Sequence, residues 1–173
     1  MFQNAAPTRH YESHVLINAP AEDVFAYIDD HAHFSSHMSE SSLMMGGGRM
    51  DISLDNGRGR EVGSHIRLSG KVFGFTLFLD EVVTRREPPR IKVWETVGDL
   101  RLLVIGHYRM SIEVEPQEGN SSLLVSIDYD LPFTNAWPGR LFGGIYAKWC
   151  VGQMVKGTRD HFVGESGQRI CVT

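Results

Sequence analysis

From residue 50 to residue 131 apolar side chains recur at every second position, and after Pro138 they recur at helical spacing instead. Met50, Ile52 and Leu54 alternate with Asp51, Ser53 and Asp55, and Asn56-Gly57 closes that run with a hairpin turn signal. Ile66 to Val72, Phe75 to Arg85, Ile91 to Val97, Arg101 to Glu115 and Leu123 to Leu131 continue the series. Gly74, Pro88-Pro89, Gly98-Asp99 and Gly119-Asn120 punctuate it. Arg101 to Glu115 is unusually long for one strand. Short turns between alternating runs require antiparallel pairing, with one face of the sheet covered. From Pro138 to about Val163, Leu141, Ile145, Trp149, Met154, Val155 and Phe162 recur at roughly helical spacing and mark the apolar face of one long helix. Phe142, Tyr146 and Val151 widen it. Gly143, Gly144, Gly152 and Gly157 sit inside this helix, and each costs about 1 kcal/mol relative to Ala. The return is close approach of another backbone, or room for a ligand. Gly164 reads as a C-cap, and Ser166 to Thr173 as a frayed tail.

Ahead of these runs stands His14-Val-Leu-Ile-Asn-Ala-Pro-Ala-Glu-Asp-Val-Phe-Ala-Tyr-Ile28. Val15 and Ile17 alternate as in a half-buried strand. Pro20 suits a first helical position, where its missing N–H would have no partner. Glu22 and Asp23 place negative charge in the first turn, which the helix dipole favours, and Val24, Phe25 and Ile28 form an apolar face. His31 to Glu40 reads as a second short helix, broken by Met44-Met-Gly-Gly-Gly48. The total is seven strands, two short helices between the first and second strands, and one long C-terminal helix. This is one α+β domain with a core over about residues 11–163 and a tail over 164–173.

The formal net charge of −4 argues against nucleic-acid binding. Arg58/Arg60 and Arg85/Arg86/Arg90 are interleaved with acidic residues and read as solvated hairpin ends. No run is long and apolar enough for a transmembrane helix, and the first ten residues lack the apolar core of a secretory signal. Cys150 in the helix and Cys171 in the tail make no disulfide framework, so a reducing cytoplasm is the simplest setting. Nothing in the sequence sets an oligomeric state.

The element order, together with Val15-Leu-Ile-Asn-Ala-Pro-Ala-Glu-Asp-Val-Phe-Ala-Tyr-Ile28, resembles the START-related SRPBCC superfamily with its helix-grip fold. Val82-Val-Thr-Arg-Arg-Glu-Pro-Pro-Arg-Ile-Lys-Val-Trp94 is similar to the strand–Pro-Pro–strand hairpin of its polyketide cyclase/dehydrase-like branch. Gly106-His-Tyr-Arg-Met-Ser-Ile-Glu-Val-Glu-Pro116, Gly119 and the Leu123–Tyr129 strand are similar to its penultimate hairpin. The resemblance implies a sheet curved around the C-terminal helix, with a cavity between them. It also implies that inner strand residues and one helix face line that cavity. Phe75, Leu77, Leu79, Trp94, Tyr108, Met110, Ile127, Tyr129, Ile145, Trp149 and Met154 are the expected ligand-binding set, with Phe73 and Phe78 nearby. Apolar walls with a few polar groups suit a small-molecule pocket; the alternative is that these side chains fill a solid core.

Glu81 is in phase with Leu77, Leu79 and Val83, so its carboxyl is expected to face inward, unless a bulge shifts the phase. Tyr108 and Tyr129 are in phase with the apolar residues of their strands. These three are the candidates for acid–base chemistry or ligand orientation. His107, Arg109, Asp128 and Asp130 fall on the opposite, solvent-facing phase. His31, His33 and His37 include an i, i+4 pair of the kind that binds zinc, but no Glu follows His33. Surface or capping histidines come first as a reading, a ligand contact second, a metal last. Gly57-Arg-Gly-Arg-Glu-Val-Gly63 resembles the glycine-rich loop of allergen-like relatives; no helix follows it, so it is not a nucleotide fingerprint, and it reads first as a tight hairpin and second as an anion contact by Arg58 or Arg60. Gly46-Gly-Gly48 reads as a hinge. No metal or cofactor is expected.

The leading expectation is binding of a small hydrophobic or aromatic molecule, lipid-like or polyketide-like, in the internal cavity. The alternatives are a cofactor-independent cyclase or dehydratase using that cavity, and an interaction module acting through its surface.

Overall fold

The computed structural model describes residues 9–34, 49–72, 74–132 and 136–168. The seven strands are β1 (Arg9–Ile17), β2 (Arg49–Leu54), β3 (His65–Val72), β4 (Phe75–Glu87), β5 (Ile91–Arg101), β6 (Tyr108–Gln117) and β7 (Asn120–Tyr129). The helices are α1 (Ala21–Asp29), α2 (His31–Phe34) and α3 (Ala136–Gln168). All strand pairs are antiparallel, in the order β1-β7-β6-β5-β4-β3-β2. Consecutive strands are therefore neighbours except β1, which closes the far edge against β7. The chain crosses from that edge to the β2 edge through α1 and α2, and α1 packs over β6 and β7 on the way.

Pro20 stands one position earlier than expected, as the N-cap of α1, and its carbonyl accepts the N–H of both Asp23 and Val24. Ala21, Val24, Phe25 and Ile28 then face the sheet. Gly98 does not end β5. It takes a left-handed φ of 64° and lets the strand run on to Arg101. The price is a register shift against β4 between Phe78 and Asp80, and a second shift lies between Val83 and Arg85. Such bulges bend a sheet, and here they curve it around its inner face. The long run from Arg101 to Glu115 is not one strand: residues 102–107 leave the sheet, and β6 begins at Tyr108.

The largest departure from the sequence reading lies in α3. Its buried stripe is Gly139, Gly143, Ala147, Cys150, Val151, Met154, Val155, Thr158 and Phe162, while Leu141, Phe142 and Ile145 are exposed. Small residues form the buried face of its first half because the backbone comes so close there. A Cβ on Gly143 would lie 3.0 Å from the Val104 carbonyl oxygen, and one on Gly139 would collide with Pro132. Close approach thus accounts for these two glycines. Gly152 and Gly157 have no neighbour within 4 Å of an added Cβ. The helix passes through Gly164 to Gln168, so Gly164 is not a C-cap. α3 packs on β1, β7, α1 and α2, which places it along one side of the curved sheet. No helix among the described residues is long and apolar enough to cross a membrane.

Candidate functional site

One carboxylate is buried in the middle of the apolar inner face. Leu77, Leu79, Glu81 and Val83 alternate inward on β4, and the bulges leave that phase intact at Glu81, which is 3% exposed. The Trp94 indole N–H donates to Glu81 Oε1 at 3.1 Å, and the Tyr108 hydroxyl donates to the same oxygen. The other oxygen, Oε2, has no hydrogen-bond partner. His31, 1% exposed at the start of α2, brings its Nε2 to 3.5 Å from Oε2, longer than a good hydrogen bond, and its Nδ1 is also unpartnered. The His31 ring stands edge-on to Trp94 with centroids 5.2 Å apart. Leaving a buried polar atom unpaired costs about 1–3 kcal/mol, so two in one cluster mark a place that packing alone does not explain.

Burial, the nearby Glu81 charge and its hydrogen bond push the Tyr108 hydroxyl well above the usual tyrosine range. It stays protonated and therefore stays a donor. Burial first, and then the nearby Glu81 carboxylate, does the same to Tyr146. Burial and Glu81 push the Cys150 thiol up to about 12, which makes it an apolar wall rather than a nucleophile.

A second buried cluster fixes where His31 sits. Asp29 ends α1, a poor place for a carboxylate in the helix dipole. Burial would raise its carboxyl further, but Arg86 and Lys92 together hold it below its ordinary value. Arg86 reaches both carboxylate oxygens, and Lys92, fully buried, donates to the Asp29 carbonyl at 3.0 Å and lies 3.2 Å from Oδ1. Burial lowers the Lys92 ammonium despite that partner. Lys92, Trp94 and Thr96 share the inner phase of β5, so one strand holds both the helix that carries His31 and the indole that holds Glu81. The glycine-rich loop serves the same end. Arg60 pairs with Asp30 at 2.8 Å, and Gly59, at a φ of 71°, lets the loop lie against the His31 Cβ. Ser64 ties the loop together, donating to Asp55 and accepting from the Gly59 N–H.

Between this cluster and α3 lies an internal void of about 20 Å³, lined by Glu81, Trp94, Tyr108, Met110, Ile127 and Met154 among others. That is room for a single water molecule. Of the expected lining, Leu77 and Leu79 are buried in the core away from the void, Trp149 is half-buried, and Tyr129 packs beneath Gly143 and Gly144 of α3. Phe75 and Ile145 are exposed and belong to no internal wall. Phe75 has the right phase but stands at the hairpin end of β4, beyond the cover. Ile145 lies off the small-residue face that α3 buries. The void also takes in Leu68, Ile105, Tyr146 and Cys150. Tyr146, Cys150 and Met154 are spaced by four, so they were readable as one helix face. His33's side chain and all of His37, Phe73 and Gly46–Gly48 lie outside the described residues.

A larger groove of about 270 Å³ opens where β5 and β6 part after Glu95 and Arg109. His107, Arg109, Asp128 and Asp130 line it from the outer phase, and Thr96, Tyr108 and Tyr129 of the inner phase line it as well. Arg109 sits in register between Glu95 and Asp128, and Asp128 also accepts from His10 at 2.8 Å, so its charges compensate one another. The unpartnered polar atoms are inside. Among the described residues no three His, Cys, Asp or Glu side chains converge to hold a metal ion.

Solved structures share this architecture. Ara h 8.0201 superposes with a TM-score of 0.64 at 12% identity, over 91% of this chain and 99% of its own. The norcoclaurine synthase of Thalictrum flavum, solved in complex with dopamine and hydroxybenzaldehyde, gives 0.65 at 13% identity, over 95% of each chain. At such identities the likeness is one of fold. No curated protein matches the sequence. The model of the family described as polyketide cyclase / dehydrase and lipid transport matches residues 8–160, and the chain belongs to that family.

Proposed function

We propose that this protein binds a small hydrophobic or aromatic molecule between the sheet and α3, oriented at its polar end by Glu81 and Tyr108. The observation that carries the reading is Glu81, a buried carboxylate with one unpartnered oxygen, in the lining of an otherwise largely apolar void. A core that only had to pack would place an aliphatic side chain there. The void is smaller than any such ligand, so binding has to displace its walls. Met110 and Met154 are the adaptable ones. The driving force is burial of apolar ligand surface, at roughly 25 cal/mol per Å² before association costs. Family membership and the ligand-bound structural relative support the same reading. The test is titration with the neutral fluorophore N-phenyl-1-naphthylamine, alongside mass spectrometry of organic extracts of the purified protein. Saturable one-to-one binding that quenches Trp94, with the quench lost in Trp94→Phe, is expected. No saturable binding and no extracted apolar compound would refute it.

A second reading is favoured by one observation: His31, Glu81 and Tyr108 are titratable groups within reach of one another. Such a set can move protons for cyclisation or dehydration of a polyketide-like substrate without a cofactor. Glu81→Gln with binding retained and turnover lost would support it; unchanged turnover would remove Glu81 from the chemistry.

A further inference from the structure

We infer that the ligand's buried end is an uncharged hydroxyl: an alcohol, phenol or enol. This rests on the ligand-binding reading above and names the chemistry of that same site. The indole N–H of Trp94 and the hydroxyl of Tyr108 are both engaged by Glu81 Oε1. What remains open is Oε2, an acceptor, and the His31 ring 3.5 Å from it. Their 3.5 Å separation lets one oxygen atom lie within hydrogen-bond distance of both once the walls around Glu81 yield to admit it. A hydroxyl there donates to Oε2 and offers its lone pairs to an N–H of His31, whereas an ether or ketone brings no proton for Oε2. A carboxylate would set negative charge against Glu81 in a site that excludes water. An ammonium brings three N–H donors, more than Oε2 and one ring nitrogen of His31 are placed to accept. The site therefore selects a group that donates to Oε2 and accepts from His31 at once.

The experiment compares 2-naphthol, 2-methoxynaphthalene and 2-naphthoate by calorimetry, on the full chain and on Glu81→Gln. On the native protein 2-naphthol is expected to bind about tenfold or more tightly than either of the others, the usual consequence of leaving a buried acceptor unpaired. Trp94 is donor-only, and Tyr108 also donates to this side. In Glu81→Gln the new amide would turn its carbonyl to them and its N–H₂ to the ligand, so the variant's preference should shift toward 2-methoxynaphthalene. Equal or tighter native binding of 2-methoxynaphthalene or 2-naphthoate overturns the hydroxyl assignment and leaves the ligand reading standing. An unchanged preference in folded Glu81→Gln also overturns it. Absence of saturable binding by all three removes the ligand reading and the assignment with it.

Discussion

Lys92→Met tests whether the buried clamp holds α2 in place. The variant keeps most of the apolar stem and removes an ammonium that donates to the Asp29 carbonyl at 3.0 Å and faces Oδ1 at 3.2 Å. Breaking a buried pair by deleting one partner costs about 3–5 kcal/mol. Arg86 still holds both Asp29 oxygens, so the loss should fall near 3 kcal/mol, the lower end of that range. For a chain of this size that lowers Tm by roughly 6–12 °C. Asp29→Asn leaves Lys92 buried and short of its counter-charge, so it too should destabilise. The double variant should lose less than the sum, with a coupling of about 1 kcal/mol or more. Urea and thermal unfolding of the four proteins measure this directly. Lys92→Met within about 0.5 kcal/mol of the parent, the range of an ordinary surface substitution, would refute the clamp, and so would strict additivity.

The other expectations follow from single features of the same structure. Gly157→Ala, exposed and with nothing within 4 Å of the new Cβ, should gain up to about 1 kcal/mol of helix propensity. Gly143→Ala, facing the Val104 carbonyl at 3.0 Å, should lose stability in the same unfolding assay, and a gain at both sites would refute the close-approach account. The Asp29 carboxyl is held below its ordinary value in the folded state. The unfolded chain therefore takes up its proton first as pH falls. Its contribution is present above the ordinary carboxylate range and is lost as pH falls through the folded value. The stability gap between the parent and Asp29→Asn should narrow there; a constant gap would be wrong for this account. Cys150, buried with its thiol pushed up to about 12, should resist iodoacetamide at neutral pH until denaturant is added, and peptide mapping of the alkylated protein checks it.

The alternation of the strands was enough to read the sheet, because a period of two survives any tertiary arrangement that keeps one face covered. It also placed Glu81 inside, together with Trp94, Tyr108, Met110 and Ile127. It failed where a glycine could do two things. Gly98 looked like a strand end and is a bulge within β5, since a left-handed residue can either turn a chain or kink it. In α3 the large apolar residues Leu141 and Ile145 pointed to one face, but Gly139, Gly143 and Ala147 are the ones buried. Hydrophobic periodicity assumes that contact needs side-chain bulk. Where backbones touch, contact needs its absence, and the pattern inverts. His31 could not be tied to Glu81 from sequence because they lie fifty residues apart, brought together by tertiary contacts such as Asp29 with Arg86 and Lys92.

That clamp also bears on why Glu81 is there. Position 81 lies between Ile66 and Thr96 in register, on a sheet face built mostly from aliphatic and aromatic side chains. A buried carboxylate is tolerated when its lone pairs are satisfied, and replacing a structural polar network with apolar groups of the same shape is often nearly neutral. If Glu81 served only to tether Trp94 and Tyr108, both of its oxygens would be expected to be used. Instead two donors crowd onto Oε1 while Oε2 has only His31 Nε2 at 3.5 Å and no hydrogen bond, although Lys92 and Arg86 lie on the neighbouring inner and bulged positions and bond Asp29 instead. The cations are thus held one cluster away, where they position His31 without neutralising Glu81. Keeping Oε2 unsatisfied costs stability, which a ligand bound there, as proposed above, would recover.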